Sequence, residues 1–329
     1  MTRSALYATV IGMALISAAE ARAPACNWTD TQQDDAPIIL VQGGTCEFSD
    51  LAQSRHISMA NGTALVTASI VIEPDAVLNI ISSDILRIRL NSTAEGFANI
   101  EANGSTLRID GVQIESYDPT TGLPDTDLSD GRAYIRVDAY VDDAGQARNA
   151  RFEMSNSAVR YLGYETRQDP TQYSGYGLTL KVRDEQNLPH VAITGWIRNS
   201  RIEHNYRGYY SYGARDITFI DNIVAFNHDY GVDPHDDSSG FIGRRNTVAF
   251  NSGTGIAISR RCGDSVIADN HVIGNGANGI LIHDLSNNTL VHDNVVASNR
   301  LDGIVIHDSH AISVQGNVIR NNRNGLRLF

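Results

Sequence analysis

Along the C-terminal half of the chain, short aliphatic runs alternate with polar clusters at a fixed interval. Asn222, Asn246, Asn270, Asn294 and Asn317 each open such a run, at spacings of 24, 24, 24 and 23. Gly231, Gly255, Gly279, Gly303 and Gly325 form a second series, spaced 24, 24, 24 and 22. Asn199 and Gly208 extend both series upstream by 23. Self-similarity of this kind marks a repeat architecture. Each unit holds runs of three to five strand-forming residues, as in Gly279-Ile-Leu-Ile-His283, separated by Asn, Gly, Asp and Ser that suit tight turns. No window carries the apolar spacing of a repeated amphipathic helix, which excludes helical-repeat arrays. A propeller blade needs about 40–50 residues. The shorter period fits three short parallel strands per turn, an all-β right-handed parallel β-helix whose coils stack about 4.8 Å apart. Recurring Asn at one coil position then forms a hydrogen-bonded ladder.

Before Asn199 the repeat is less regular. Ser69–Ile72, Ala76–Ile80, Leu86–Leu90, Leu107–Ile109 and Val112–Ile114 read as strands of early coils. Tyr117–Arg132, with Pro119, Gly122 and Pro124, reads as a loop leaving the solenoid, and Asp184–His190 as another. The expected organisation is a signal peptide over 1–23, an N-terminal cap region over 24–65 and the β-helix over 66–329. Arg3, the apolar stretch Ala5–Ala19 and the Ala21-Arg22-Ala23 cleavage pattern define the leader, which is too short for a comfortable membrane span. Solenoids need covered ends. This chain stops at Arg327-Leu328-Phe329 inside an expected strand, so a cap comes from elsewhere or the sequence is a truncated form of something longer.

Composition narrows the function. The net charge of -12 becomes −13 once Arg3, Arg22 and Glu20 leave with the leader, which argues against non-specific duplex binding. Lys181 is the single lysine. Three cysteines are too few for a disulfide scaffold, but an exported chain makes a Cys26–Cys46 bond an expectation, with Cys262 left as a small buried residue.

Residues one period apart stack. Val232, Ile256, Ile280 and Ile304 form an inward column, as do Pro234, Ile258, Ile282 and Ile306. Asp233, Ala257, Leu281 and Val305 then point outward, followed by His235, Ser259, His283 and His307, with Asp236, Arg260, Asp284 and Asp308 at the corner. The segment Asn227–Asp237 breaks the repeat: Pro234 cannot donate a ladder hydrogen bond, and two histidines, a tyrosine and several carboxylates gather there. A polar solenoid rim explains such a cluster, and so does a calcium site of corner carboxylates. The third reading is chemical. A histidine oriented by a carboxylate, near an arginine that neutralises a substrate carboxylate, is suited to proton abstraction α to that carboxylate. Return of the proton to the other face gives epimerisation, whereas loss of a β leaving group gives a lyase. Glycoside hydrolysis would use the aspartates but leaves the histidines unexplained.

The segment Tyr230-Gly-Val-Asp-Pro-His-Asp236 resembles the Tyr-Gly-x-Asp-Pro-His-[Asp/Glu] motif of mannuronan C-5 epimerases, which convert β-D-mannuronate to α-L-guluronate within alginate. The likeness extends to Arg160-Tyr-Leu-Gly-Tyr164, Gly208-Tyr-Tyr-Ser-Tyr212 and Ser259-Arg260, and is closest to the periplasmic branch. It implies a β-helix acting on polymannuronate in the periplasm, with secretion as the alternative, and a polysaccharide-export complex as a partner. In that branch the base matches His228, the preferred candidate here. In the secreted, calcium-dependent branch the base matches His235 and the acid Tyr230. Asp233 and Asp236 would orient these groups, Arg260 would neutralise the carboxylate, and a water is the donor proposed for the periplasmic branch. Arg245, Tyr209, Tyr212, His283, Asp284 and His307 complete the expected substrate-binding set. The calcium modules of the secreted branch are absent, so no cofactor is expected. A uronate lyase and a non-catalytic polymer-guiding β-helix are the competing readings.

Overall fold

A computed structural model describes residues 25–34, 36–165 and 175–329. The leader lies outside these residues. The chain winds into three parallel sheets. Sheet I runs from Ala36–Gly43 through Val232–His235 to Leu326–Leu328. Sheet II runs from Thr45–Glu47 to Ser313–Gln315, and sheet III from Thr63–Val66 to Val318–Arg320. Successive strands of one sheet belong to successive coils, the three-strand turn that the period demands. No helix among the described residues is long and apolar enough to cross a membrane.

The coils begin earlier than the sequence suggested. Ala36–Gly43 already pairs in parallel with Ser69–Ile72, and Thr63–Val66 with Arg87–Thr93. The antiparallel strands Asn27–Gln33 and Ile57–Ala60 and the short helix Phe48–Leu51 are what remain of a distinct cap within residues 24–65. The Cys26–Cys46 disulfide is formed, and Cys262 is buried and free. The Tyr117–Arg132 excursion does not simply leave the solenoid. Leu123–Pro124 pairs back onto Tyr117–Asp118, and Arg132 is buried, donating to the carbonyls of Leu162 and Gly163.

Inside, Val232, Ile256, Ile280 and Ile304 stack in one buried column, as read from the sequence. Two asparagine ladders hold corners of the solenoid. Asn222, Asn246, Asn270, Asn294 and Asn317 form one, each backbone N–H donating to the next side-chain oxygen. Asn199 is not part of it: Ser200 occupies that place and donates its N–H to Asn222, while Asn199 is exposed at φ 49°. Asn205, Asn227, Asn251, Asn275, Asn299 and Asn322 form a second ladder at the turn from sheet III to sheet I.

The glycine column has a steric origin. A Cβ on Gly255 would lie 2.6 Å from Val272 Cγ1, 2.8 Å from Asn275 Nδ2 and 2.8 Å from the Gly279 carbonyl. Gly255→Ala is therefore expected to lower unfolding stability by about 1–3 kcal/mol through overpacking, measured by chemical denaturation.

Candidate active site

The site grows from one strand and its corner. Val232–His235 lies in sheet I between Arg207–Tyr212 and Ile256–Ser259. One outward column reads Lys181, Tyr212, His235, Ser259, His283, His307. At the corner after three successive strands the backbone turns left-handed over two residues: Asp236 and Asp237, Arg260 and Arg261, Asp284 and Leu285. Aspartate tolerates this region, whereas arginine is uncommon there. The turn projects the corner side chains beside the histidine column.

His235 Nδ1 lies 2.5 Å from Asp236 Oδ2. Burial pushes the Asp236 carboxyl up, but the His235 hydrogen bond and the charges of His235, Arg260 and Arg261 outweigh this and hold it below the usual range. Arg261 is committed to Asp237 by bonds of 2.9 and 2.6 Å. Arg260 differs. It is half exposed and has only long contacts, 3.9 Å to Asp236 and 3.9 Å to Asp284, so its donors face solvent with no close partner.

Beneath lies a group the sequence reading missed. Arg207 Nε donates to Asp229 at 2.7 Å and Nη1 to Asp233 at 3.1 Å. Its guanidinium also sits over the rings of Tyr176, Tyr210 and Tyr230. Burial alone would lower Arg207, but Asp233 and Asp229 outweigh it and lift the guanidinium above its ordinary value. Asp233 points outward yet is sealed by this arrangement. The Tyr210 ring packs 5.7 Å from His235. Arg207 directly precedes Gly208 of the glycine series, so its position was readable, but its aspartate partners one coil away were not. Tyr230 is half-buried, and burial followed by Asp233 and Asp229 raises its phenol.

His228 follows Asn227 of the second ladder, which fixes its backbone against the Asn205 carbonyl. It is exposed, and burial of part of its ring, with Arg132 and His204 nearby, lowers its affinity for a proton. Beside it, Tyr161, His204, Phe226 and Phe250 stack one ring per coil along the corner. No carboxylate pairs with His228 among the described residues.

Two expected substrate-binding residues fall elsewhere. Tyr209 points into the core against Phe219 and Phe241, because strand alternation turns Tyr210 and Tyr212 outward instead. Arg245 sits at the corner after sheet II, clamped by both oxygens of Asp221. Tyr212 lies in the His235 column, and burial pushes its phenol up to about 12. His283 contacts Asp284 at 3.1 Å, and His307 lies 4.0 Å from the same carboxylate.

Three parallel sheets stacked coil on coil make this a right-handed parallel β-helix protein. The family described as the right handed beta helix region matches residues 189–329. Within that class, its sequence relatives are mannuronan C5-epimerases. The chain is 26% identical to Mannuronan C5-epimerase AlgG of Azotobacter vinelandii over 226 residues, covering 67% of this chain and 40% of that protein. It is also 26% identical to the Mannuronan C5-epimerase of Pseudomonas aeruginosa over 235 residues, covering 67% and 39%. The crystal structure of the periplasmic alginate epimerase AlgG superimposes with a TM-score of 0.80 at 22% identity, over 89% of this chain and 67% of that one. The resemblance read from the Tyr230–Asp236 motif is thus borne out. The chain spans about 40% of the length of these sequence relatives.

Proposed function

We propose that this chain epimerises β-D-mannuronate to α-L-guluronate at C-5 within an alginate-type polymer. The carrying observation is Asp236, which contacts both His235 and the uncommitted Arg260. The C-5 hydrogen is α to the C-6 carboxylate, and its removal drives negative charge onto that carboxylate. Arg260 would bind the carboxylate and stabilise this charge. Asp236 holds Nδ1 of His235, leaving Nε2 as the base. A donor on the opposite face, Tyr230 or a water, then protonates C-5. The relatives' name and the description of the AlgG structure as periplasmic support this reading and a periplasmic setting.

A second reading makes His228 the base. It is favoured by its exposure, its lowered proton affinity and the absence of a pairing carboxylate among the described residues. An unpaired imidazole presents both ring nitrogens, whereas His235 presents Nε2 alone. Conversion of polymannuronate, followed by proton NMR of guluronate signals, separates the readings: loss in His235→Ala with activity retained in His228→Ala supports the first, and the reverse supports the second. Unchanged conversion in both variants overturns the proposal. An ultraviolet-absorbing unsaturated uronate product would mark β-elimination instead.

Arg260→Ala is expected to lower kcat/KM by about 10²–10³, the effect of losing one preorganised charge-stabilising donor. Arg245→Ala, on another corner, should leave it unchanged. The same assay checks both.

A further inference from the structure

The His-Asp dipeptide recurs along sheet I and its corner at His235-Asp236, His283-Asp284 and His307-Asp308, with Ser259-Arg260 interposed after the first. Stacking gives these copies different surroundings. His235 is separated from His283 by the Ser259 coil, whereas His283 and His307 are direct neighbours. One ligand atom from each of His283, Asp284 and His307 lies within 4.8 Å of the others. Asp284 stands between the rings, its Oδ2 3.1 Å from His283 Nδ1 and its Oδ1 4.0 Å from His307 Nδ1.

We infer that His283, Asp284 and His307 form a binding site for one late first-row divalent cation of the zinc class. Zinc bonds of about 2.0–2.2 Å separate tetrahedral ligands by about 3.4 Å. The two His–Asp separations bracket that value, the ligand atoms all lie within 4.8 Å of one another, and rotation of partly exposed side chains closes the remainder. Two imidazoles and one carboxylate are a borderline-soft set that suits zinc, nickel or copper, whereas calcium prefers oxygens alone. Both imidazoles bind the cation through a ring nitrogen that carries no proton. The cation displaces Arg260, 3.9 Å away, from Asp284, and three protein ligands leave a coordination position for water or an incoming carboxylate.

The test needs no polymer, so its outcome is independent of the epimerase reading. Tag-free, chelator-treated protein is titrated calorimetrically with zinc chloride at pH 7.5. One equivalent should bind, excess calcium should not displace it, and His283→Ala and His307→Ala should each weaken binding at least 10-fold. His292→Ala, which removes another His-Asp pair on a different face, should leave it unchanged. Asp284→Asn, which preserves side-chain shape, is a further variant expected to weaken binding should an alanine variant fail to fold. Stoichiometric binding unaltered by the folded variants, or no binding by the unsubstituted protein, overturns the site.

Discussion

His235→Ala should reduce guluronate formation by about 10²–10⁴, the usual worth of a positioned general base, while polymer binding survives. Asp236 makes the prediction sharper. With Asp236→Asn the imidazole stays but loses the carboxylate that fixes its tautomer, so kcat should fall with little change in KM. The pH profile carries a sign as well. A base must be neutral, so conversion is lost as pH falls and the imidazole protonates. In wild type the Asp236 carboxyl, held low by His235 and the arginines, remains ionised through that limb. Conversion rates across pH 5–8, together with polymer-binding isotherms, check these effects. Full activity in His235→Ala would transfer the base role to His228.

Asn246→Ala should destabilise the fold by about 2–4 kcal/mol. The Asn246 oxygen accepts from the buried Asn222 N–H at 2.9 Å, and its Nδ2 donates to the Phe219 carbonyl and to Asn270, each at 2.9 Å. Truncation strips the Asn222 N–H of that acceptor, breaks the other bonds and leaves a void in a fully packed corner. Denaturant titration followed by circular dichroism measures the loss. Asn246→Asp is instructive beside it: the acceptor persists, but a buried charge replaces the Nδ2 donor, so it should be no milder. A surface change such as Arg245→Ala should cost under about 0.5 kcal/mol.

Much of this architecture was legible in the sequence because one coil repeats as one sentence does. The period gave the three-strand turn, and strand alternation correctly put Val232 inside and His235 outside. The same logic failed where the repeat loosens. Tyr209 and Tyr210 are adjacent tyrosines, and without a register only one of them could be assigned inward. Asn199 sits one residue from the ladder position because that coil has 22 residues between ladder positions rather than 24, so Ser200 takes the bond. The second ladder was visible in Asn227, Asn251, Asn275 and Asn299 at intervals of 24, but it lay in the shadow of the first. Arg207 was invisible for a physical reason: its meaning lies in Asp229 and Asp233, 22 and 26 residues onward, and only the stacking of coils brings them to it.

The corners have one further implication. The coils of Val232–His235, Ile256–Ser259 and Ile280–His283 leave sheet I through the same pair of left-handed residues, and each coil rests only on its neighbours. A whole coil could therefore be added to or removed from the far end of the stack, its cut ends meeting in superimposable turns. Reach along a bound polymer would change in increments of about 4.8 Å while the reacting groups stayed fixed. The molecule is in that sense a ruler whose graduations are independent of its point of action.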